Sequence, residues 1–259
     1  MTPAIDVTVP EVLATLTLVG VAAAVSVYRR VDLERDLGVA VLRSALQLTA
    51  IGFVIQAIFD SDSLWLVAAL LAVMVAFGTA TARRRARAVP QALVPIALAL
   101  TAAAVVTLGL VLALGVFSPE PRFIVPVGGM VIGNAMTAAA VALNRLADEV
   151  RSHAGMVEAS LSLGATSRQA ARGLVTRSLR SGMIPLVDST KTAGVVFFPG
   201  TMVGMLLAGA EPVDAVRLQL ILLWSLLGSV ALSAVLATGL GYRSFFTRAH
   251  QLRDAPPPA

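Results

Sequence analysis

Long apolar runs separated by short polar connections divide this chain from end to end. Seven runs are each near the ~20 residues that an α-helix needs to cross ~30 Å of hydrocarbon. With 57% hydrophobic and only 14% charged residues, an ordinary soluble domain is excluded. We therefore predict an all-α, polytopic transmembrane bundle in which residues 1–259 form one domain. The predicted spans cover roughly 9–28, 38–59, 64–82, 91–117, 123–147, 183–209 and 213–241.

The arginines predict the orientation of the bundle. The connections after the first, third, fifth and seventh runs carry arginine clusters, whereas the other connections carry mainly acidic residues. The positive-inside rule then places the N-terminus outside and the C-terminus in the cytoplasm. Topology explains the basic residues, so we expect a lipid bilayer and no nucleic acid as partner. The proline-rich tail, 254–259, is expected to be disordered.

The fifth run is rich in small residues and contains polar side chains. Gly129 and Gly133 have the GxxxG spacing that lets a second helix approach closely. Polar and charged positions recur on one helical stripe. This stripe either lines a translocation path or dimer seam, or forms hydrogen bonds across packed helices. Gln47, in the second run, is a further candidate for the path. The stripe consists of Asn134, Thr137, Val141, Arg145 and Asp148.

The sixth run, 183–209, carries a possible ion pair and a helix breaker. Asp188 and Lys191 are three residues apart and can pair on one helix face. They lie either inside the bilayer, as a substrate or gating element, or at the interface, where long side chains reach water. Pro199 and Gly200 should break or kink the helix. With Gly204, Gly200 repeats the GxxxG spacing, so we include this segment in the candidate path.

The connection over 148–182 is the largest polar element and the expected docking site for a partner. Its residues reproduce the EAA---G spacing of cytoplasmic loops in ABC permeases. Physically, this predicts a short helix, a break at Gly164, and a cap at Thr166 or Ser167 that opens a second helix. Such a unit could lodge in a groove of a soluble ATPase. The alternative is an amphipathic helix that its arginines hold to anionic lipid. The candidate coupling residues are Glu158, Ala159, Gly164, Ala165 and Thr166.

The sequence lacks the motifs of an ATPase or an enzyme. A phosphate-binding loop needs Gly-x-x-x-x-Gly-Lys-Ser/Thr, but Lys191 is the only lysine and Thr190 stands where the second glycine belongs. Any ATP and Mg would therefore be bound by a partner subunit, and no cofactor by this chain. There is no cysteine, which excludes thiolate metal sites. The sequence does not identify metal ligands.

Three segments together resemble the FetB-like permeases, the iron-export ABC transporter permease family. They are GGMVIGNAMTAAAVALNRL (128–146), EASLSLGATSRQA (158–170) and IPLVDSTKTAGVVFFPGTMVGMLLAG (184–209). The resemblance implies a homodimeric permease of a bacterial inner membrane that works with two copies of a separate ATP-binding subunit. Bacterial members are associated with iron export and plant members with aluminium tolerance. The resemblance therefore implies export of iron or another metal ion.

The sixth run departs from the family pattern. Val203 and Met205 stand where the family has Thr and Gln, Asp188 where it has Asn or a similar residue, and Lys191 where an apolar residue is usual. An ABC permease for an organic solute therefore remains an alternative. Further alternatives are an importer that uses an external solute-binding protein, a membrane enzyme that acts on lipid, and a non-transporting membrane anchor for an ATPase.

Overall fold

The computed structural model describes residues 8–253, and this part of the chain is helical, as predicted. Nine α-helices and one short 3-10 helix lie within it, together with two isolated β-bridges. The predicted disordered tail, 254–259, lies outside the described residues. The helices are α1 (Val9–Arg29), α2 (Glu34–Ser61), α3 (Leu64–Arg85), α4 (Leu93–Ala113), α5 (Pro121–Ser152), α6 (Ala154–Ser162), α7 (Ser167–Thr192), α8 (Gly200–Leu207) and α9 (Pro212–Gly241), and η1 (Tyr242–Phe245) is the 3-10 helix.

Among the described residues, six helices are long and apolar enough to cross a membrane, namely α1 to α5 and α9. The predicted sixth span, 183–209, is broken, as the sequence analysis expected: α7 ends at Thr192 and α8 begins only at Gly200. The break starts before the expected proline. Gly194 has a φ of 83°, and its N–H donates to the carbonyl of Phe197 at 2.8 Å. Pro199 is the N-cap of α8.

The polar connection predicted over 148–182 is largely helical, with bounds that differ from the prediction. Helix α5 has 32 residues, which at ~1.5 Å per residue is ~48 Å, well beyond the ~30 Å of a hydrocarbon core. It continues to Ser152, α6 follows, and α7 begins at Ser167 and runs on into the predicted sixth span. Arginine and alanine, which recur here, are good helix formers, so the polar sequence lengthens the helices.

Helix α5 is the scaffold of the bundle and packs against α3, α4, α7 and α9. The contact with α9 is built from small buried residues such as Ala135, Ala139 and Ser233. Small side chains allow helix backbones to approach closely. The Ser233 hydroxyl donates to the carbonyl of Ala135 at 3.0 Å, so the two helices are also joined by a hydrogen bond.

Helices α1 and α2 form a hairpin beside this bundle. Helix α1 packs on α2, and most side chains of both helices are exposed. The hairpin is attached near the C-terminal end of α2, where Ile58 packs with Val67 and Leu70 of α3 and with Val125 of α5. Along the chain, the first residue in the packed core of the bundle is therefore at the C-terminal end of α2.

Candidate coupling segment and membrane cleft

The turn between α6 and α7 has the predicted helix–glycine–helix form. Helix α6 ends in a Schellman motif: the N–H of Ala165 donates to the carbonyl of Ser160 at 3.1 Å, and that of Gly164 to Leu161 at 2.9 Å. Gly164 has a φ of 88°, a conformation that only glycine adopts readily. Thr166 caps α7 and forms a capping box with Gln169, so the direction of both helices is fixed locally.

Helix α6 is anchored on one side and exposed on the other. Val157 is fully buried against the core, whereas Glu158 and Ala159 are exposed. Two large apolar side chains also face outward: Leu163 is 89% exposed and Met156 is 53% exposed. An exposed leucine that directly follows a helix with an exposed carboxylate can insert into an apolar groove of a second protein.

A buried carboxylate joins the start of α6 to the C-terminal end of α5 and to α7. The side chain of Glu149, on α5, is only 3% exposed and lies 2.7 Å from Arg145 and 2.7 Å from Arg177 of α7. Nδ1 of His153, the N-cap residue of α6, lies 3.4 Å from the Glu149 carboxylate and 3.0 Å from the Glu149 backbone carbonyl. A buried charge is tolerated only when it is paired and hydrogen-bonded, as here. Through these contacts Glu149 joins the start of α6 to α5 and α7.

The C-terminal segment braces the same turn. The first backbone N–H of α7, on Ser167, donates to Nδ1 of His250 at 3.2 Å, and the Ser167 hydroxyl lies 2.9 Å from the same nitrogen. Phe245 and Phe246 are buried in the core that also holds Val157. The turn is thus held by contacts to α5, to α7 and to the segment that follows α9.

A small, mainly apolar cleft of about 130 Å³ with three polar residues in its lining lies between α5 and α7, with α9 behind it. Asn134 and Thr137 line it, but their side chains donate to carbonyls of their own helix, Met130 at 2.9 Å and Gly133 at 3.1 Å. The predicted hydrogen bonds across packed helices are therefore not formed by these donors. The other lining residues are Ala138, Gly182, Pro185, Leu186, Ser189 and Val230.

The cleft is narrow because α5 and α7 approach very closely at Gly182. A Cβ atom at that position would lie 2.7 Å from Cβ of Ala142 and 2.8 Å from the carbonyl oxygen of Ala138. Pro185, inside α7, has no N–H, so the carbonyl of Ser181 loses its usual intrahelical donor. Helix α7 thus lacks one backbone hydrogen bond beside a cleft whose lining includes hydroxyl and amide groups. Such a helix is suited to a path that opens and closes.

Asp188 and Lys191 form the predicted pair, with their charged atoms 3.4 Å apart. The two side chains are 61% and 70% exposed, and neither lines the cleft, although Ser189 beside them does. Within residues 8–253, no group of three or more histidine and acidic side chains is placed to hold a metal ion. The pair is consequently an exposed feature of α7 in this structure.

The other predicted residues occupy several different positions. Gln47 is exposed on α2, away from the cleft. Of the predicted packing pair, Gly129 lies against Met74, since a Cβ there would be 3.1 Å from its methyl carbon, but Gly133 has nothing within 4 Å. Gly200 and Gly204 likewise meet no neighbour within 4 Å. Within residues 8–253, three of the four glycines of the predicted GxxxG seams therefore have no neighbouring side chain or backbone at their Cβ position.

Three features of the site were missed by the sequence analysis. Arg145 pairs with Glu149, which the predicted stripe did not include, and not with Asp148, which it did. The i,i+4 spacing between Arg145 and Glu149 is the sequence signal that could have identified this pair. The close approach at Gly182 had no sequence signal. The hydroxyl of Thr201 donates to the buried side chain of Gln219 at 2.6 Å and ties α8 to α9, a link between positions far apart in sequence.

Residues 9–246 match the model of an uncharacterised protein family, UPF0014. The chain is 42% identical over 243 residues to the UPF0014 membrane protein STAR2 of Oryza sativa subsp. japonica, covering 93% of this chain and 85% of the relative. It is 39% identical over 241 residues to Protein ALUMINUM SENSITIVE 3 of Arabidopsis thaliana, covering 93% and 88%.

A bacterial relative is equally well covered. The chain is 35% identical over 248 residues to the probable iron export permease protein FetB of Escherichia coli strain K12, covering 95% of both chains. No solved structure shows significant similarity to the chain.

Proposed function

The chain belongs to the UPF0014 family, and on that premise we propose that it is the membrane-spanning permease subunit of an ABC transporter that exports iron or another metal ion. It is a multi-pass membrane protein whose relatives include a permease. A separate subunit would bind ATP and Mg. In this proposal the complex contains two copies of the chain and two ATPase subunits in a bacterial inner membrane, with the arginine-rich connections in the cytoplasm.

The observation that carries the proposal is the α6–α7 turn and its attachment. The turn presents Glu158 and Leu163 outward on a rigid frame, and Glu149 joins its base to α5 and α7. These two helices form the walls of the cleft beside Asn134. A soluble ATPase that grips the turn would therefore act on the two helices whose separation sets the width of the cleft.

The proposed cycle follows from this geometry. Closure of the ATPase subunits on ATP pulls the turn, and the ion pairs of the buried Glu149 transmit the displacement to α5 and α7. The close contact at Gly182 permits the two helices to slide with little obstruction, so the cleft beside Asn134 changes its access. The metal ion, as substrate, would meet the oxygen atoms of Asn134, Thr137 and Ser189, which are hard ligands of the kind that divalent cations accept.

A double replacement in the turn tests the coupling role. We expect E158A/G164A to leave the membrane bundle folded but to reduce substrate-stimulated ATP hydrolysis of the assembled complex by about tenfold or more. There are two reasons. Glu158 is exposed, so its replacement should not unfold the bundle, and alanine at the φ of Gly164 costs about 1–2 kcal/mol of local backbone strain, which should displace the tip. Hydrolysis and complex recovery are measured on the same preparation.

Gly155 provides the matched control. It lies in α6, has open space around its Cβ position and lacks a positive φ, so G155A should keep full coupling. Unchanged coupled hydrolysis in E158A/G164A would overturn the assignment of this turn as the coupling segment.

A further inference from the structure

A cavity of about 710 Å³ lies between the first half of α7 and the end of α9. Three arginines line it: Arg168 and Arg172 on α7, and Arg243 on η1. With Thr176, the two α7 arginines lie at successive i,i+4 positions on one helix face. At ~1.5 Å per residue this face is ~12 Å long, which is longer than a single phosphate group.

The charge in this cavity is not neutralised by the part of the chain that the structure describes. Among residues 8–253, the lysine and arginine side chains that form ion pairs are those of Arg145, Arg151, Arg177, Lys191 and Arg217, and none of these lines the cavity. None of the three cavity arginines has a carboxylate oxygen within 4.0 Å among residues 8–253, and the lining contains no acidic residue. Three guanidinium groups that share one cavity attract an anion, and their fork geometry suits phosphate oxygens.

The cavity also has an apolar part and lies where a spanning helix ends. Ala171, Val175 and Gly239 contribute apolar surface beside the arginines. Gly239 belongs to the last turn of α9, within the candidate span Pro212–Phe245. Tyr242, whose ring packs edge-on against Phe246 at 6.4 Å, adds a phenol at the same level. An aromatic side chain with an adjacent basic cluster is typical of the membrane–water interface.

We propose that this cavity binds the phosphate headgroup of an anionic membrane lipid. The arginines hold the phosphate, and the apolar part covers the glycerol and the first carbons of the acyl chains. A basic cavity at the end of a transmembrane helix, on the side that carries the arginine clusters, faces the leaflet in which anionic lipids are recognised. The site is independent of the transport proposal, because it requires only that α9 crosses a membrane with its C-terminal, arginine-rich end at the leaflet that holds anionic lipid.

The site is placed to sense the coupling turn. Arg168 is the second residue of α7, directly after Ser167, which contacts His250. A lipid bound by Arg168 and Arg243 would therefore tie the start of α7 to the end of α9. We expect the bound lipid to raise the thermal stability of the purified protein, as any ligand of the folded state does.

The test is a lipid titration of purified, delipidated protein in detergent, read by native mass spectrometry and by thermal unfolding. The probes are phosphatidylglycerol, phosphatidylcholine and soluble sn-glycerol 3-phosphate. We expect phosphatidylglycerol to bind at least about tenfold more tightly than phosphatidylcholine, and R172Q/R243Q to weaken it by about tenfold or more, since each charge-assisted contact is worth about that factor.

The matched control is R180Q/R248Q, which removes the same charge from two exposed arginines that do not line the cavity. It should bind phosphatidylglycerol like the unmodified chain. If R172Q/R243Q does not fold, R172K/R243K replaces it: the charge stays, the guanidinium fork is lost, and weaker binding is still expected.

Four results would overturn the proposal. Equal binding of the two phospholipids, or equal loss in both double variants, would mean that no phosphate site exists here. Binding of sn-glycerol 3-phosphate as tight as that of the lipid would assign the site to a soluble phosphate compound. Loss of the ATPase subunit from R172Q/R243Q, with lipid binding unchanged, would assign the cavity to an acidic protein partner. None of these results would affect the transport proposal.

Discussion

Replacing Arg177 by methionine should lower the free energy of unfolding by about 2–3 kcal/mol, more than E149Q, which should cost about 1 kcal/mol. Glu149 is 3% exposed, so loss of Arg177 leaves a buried carboxylate with one arginine contact instead of two. E149Q instead leaves arginines that are 51% and 48% exposed and that water can solvate. The comparison is made by denaturant unfolding of the purified variants in one detergent.

The double variant and a control sharpen this prediction. E149Q/R177M should be more stable than R177M alone, because the stranded charge is gone; additive losses would show that the two side chains do not interact. R180M, at an exposed position of the same helix, should change stability by no more than ~0.5 kcal/mol. In the assembled complex, R177M should also reduce coupled ATP hydrolysis, since Glu149 is the link between the turn and α7.

A side chain at Gly182 should separate α5 from α7. G182A is expected to cost about 1–3 kcal/mol and G182V more, because the added carbon would lie 2.8 Å from a backbone oxygen that cannot move without the helix. The displaced helix also widens the cleft beside Asn134 and Thr137. Thermal unfolding measures the first effect, and loss of substrate movement in reconstituted complexes measures the second.

Gly173 is the matched control for this variant. It lies in the same helix, where an added Cβ would meet only the tip of Arg177 at 3.5 Å. G173A should therefore be neutral or stabilise the protein by about 0.5–1 kcal/mol, the gain of alanine over glycine inside a helix. If G182A were as stable as G173A, the close contact between α5 and α7 would not be a structural constraint.

Local chemistry made the α6–α7 turn predictable from sequence. Gly164 supplies the positive φ that ends one helix, and Thr166 supplies the cap that begins the next. Both signals act within a few residues, so the turn could be located without knowledge of the fold. The apolar runs likewise predicted the helical class, although the number of spans and the side on which the termini lie stay predictions.

Features that depend on two distant segments could not be predicted in this way. Gly182 and Gly173 lie in the same helix, and they differ because α5 packs against Gly182 and not against Gly173. The break after α7 begins at Ala193 because the backbone of Gly194 folds back onto Phe197, whereas the sequence drew attention to Pro199. Glu149 was overlooked because its second partner, Arg177, is 28 residues away and comes close only when α5 and α7 pack.

The most direct test of the transport proposal is ATP-dependent metal accumulation in inverted membrane vesicles that contain this chain and its ATPase subunit. Fe²⁺ and a panel of other divalent ions are offered, and vesicles with a hydrolysis-deficient ATPase serve as the control. Accumulation of Fe²⁺ or another metal only with active ATPase is the predicted result. Continued ATP hydrolysis by the intact complex with no accumulation of any metal would contradict a metal-exporting permease and direct the search to organic solutes.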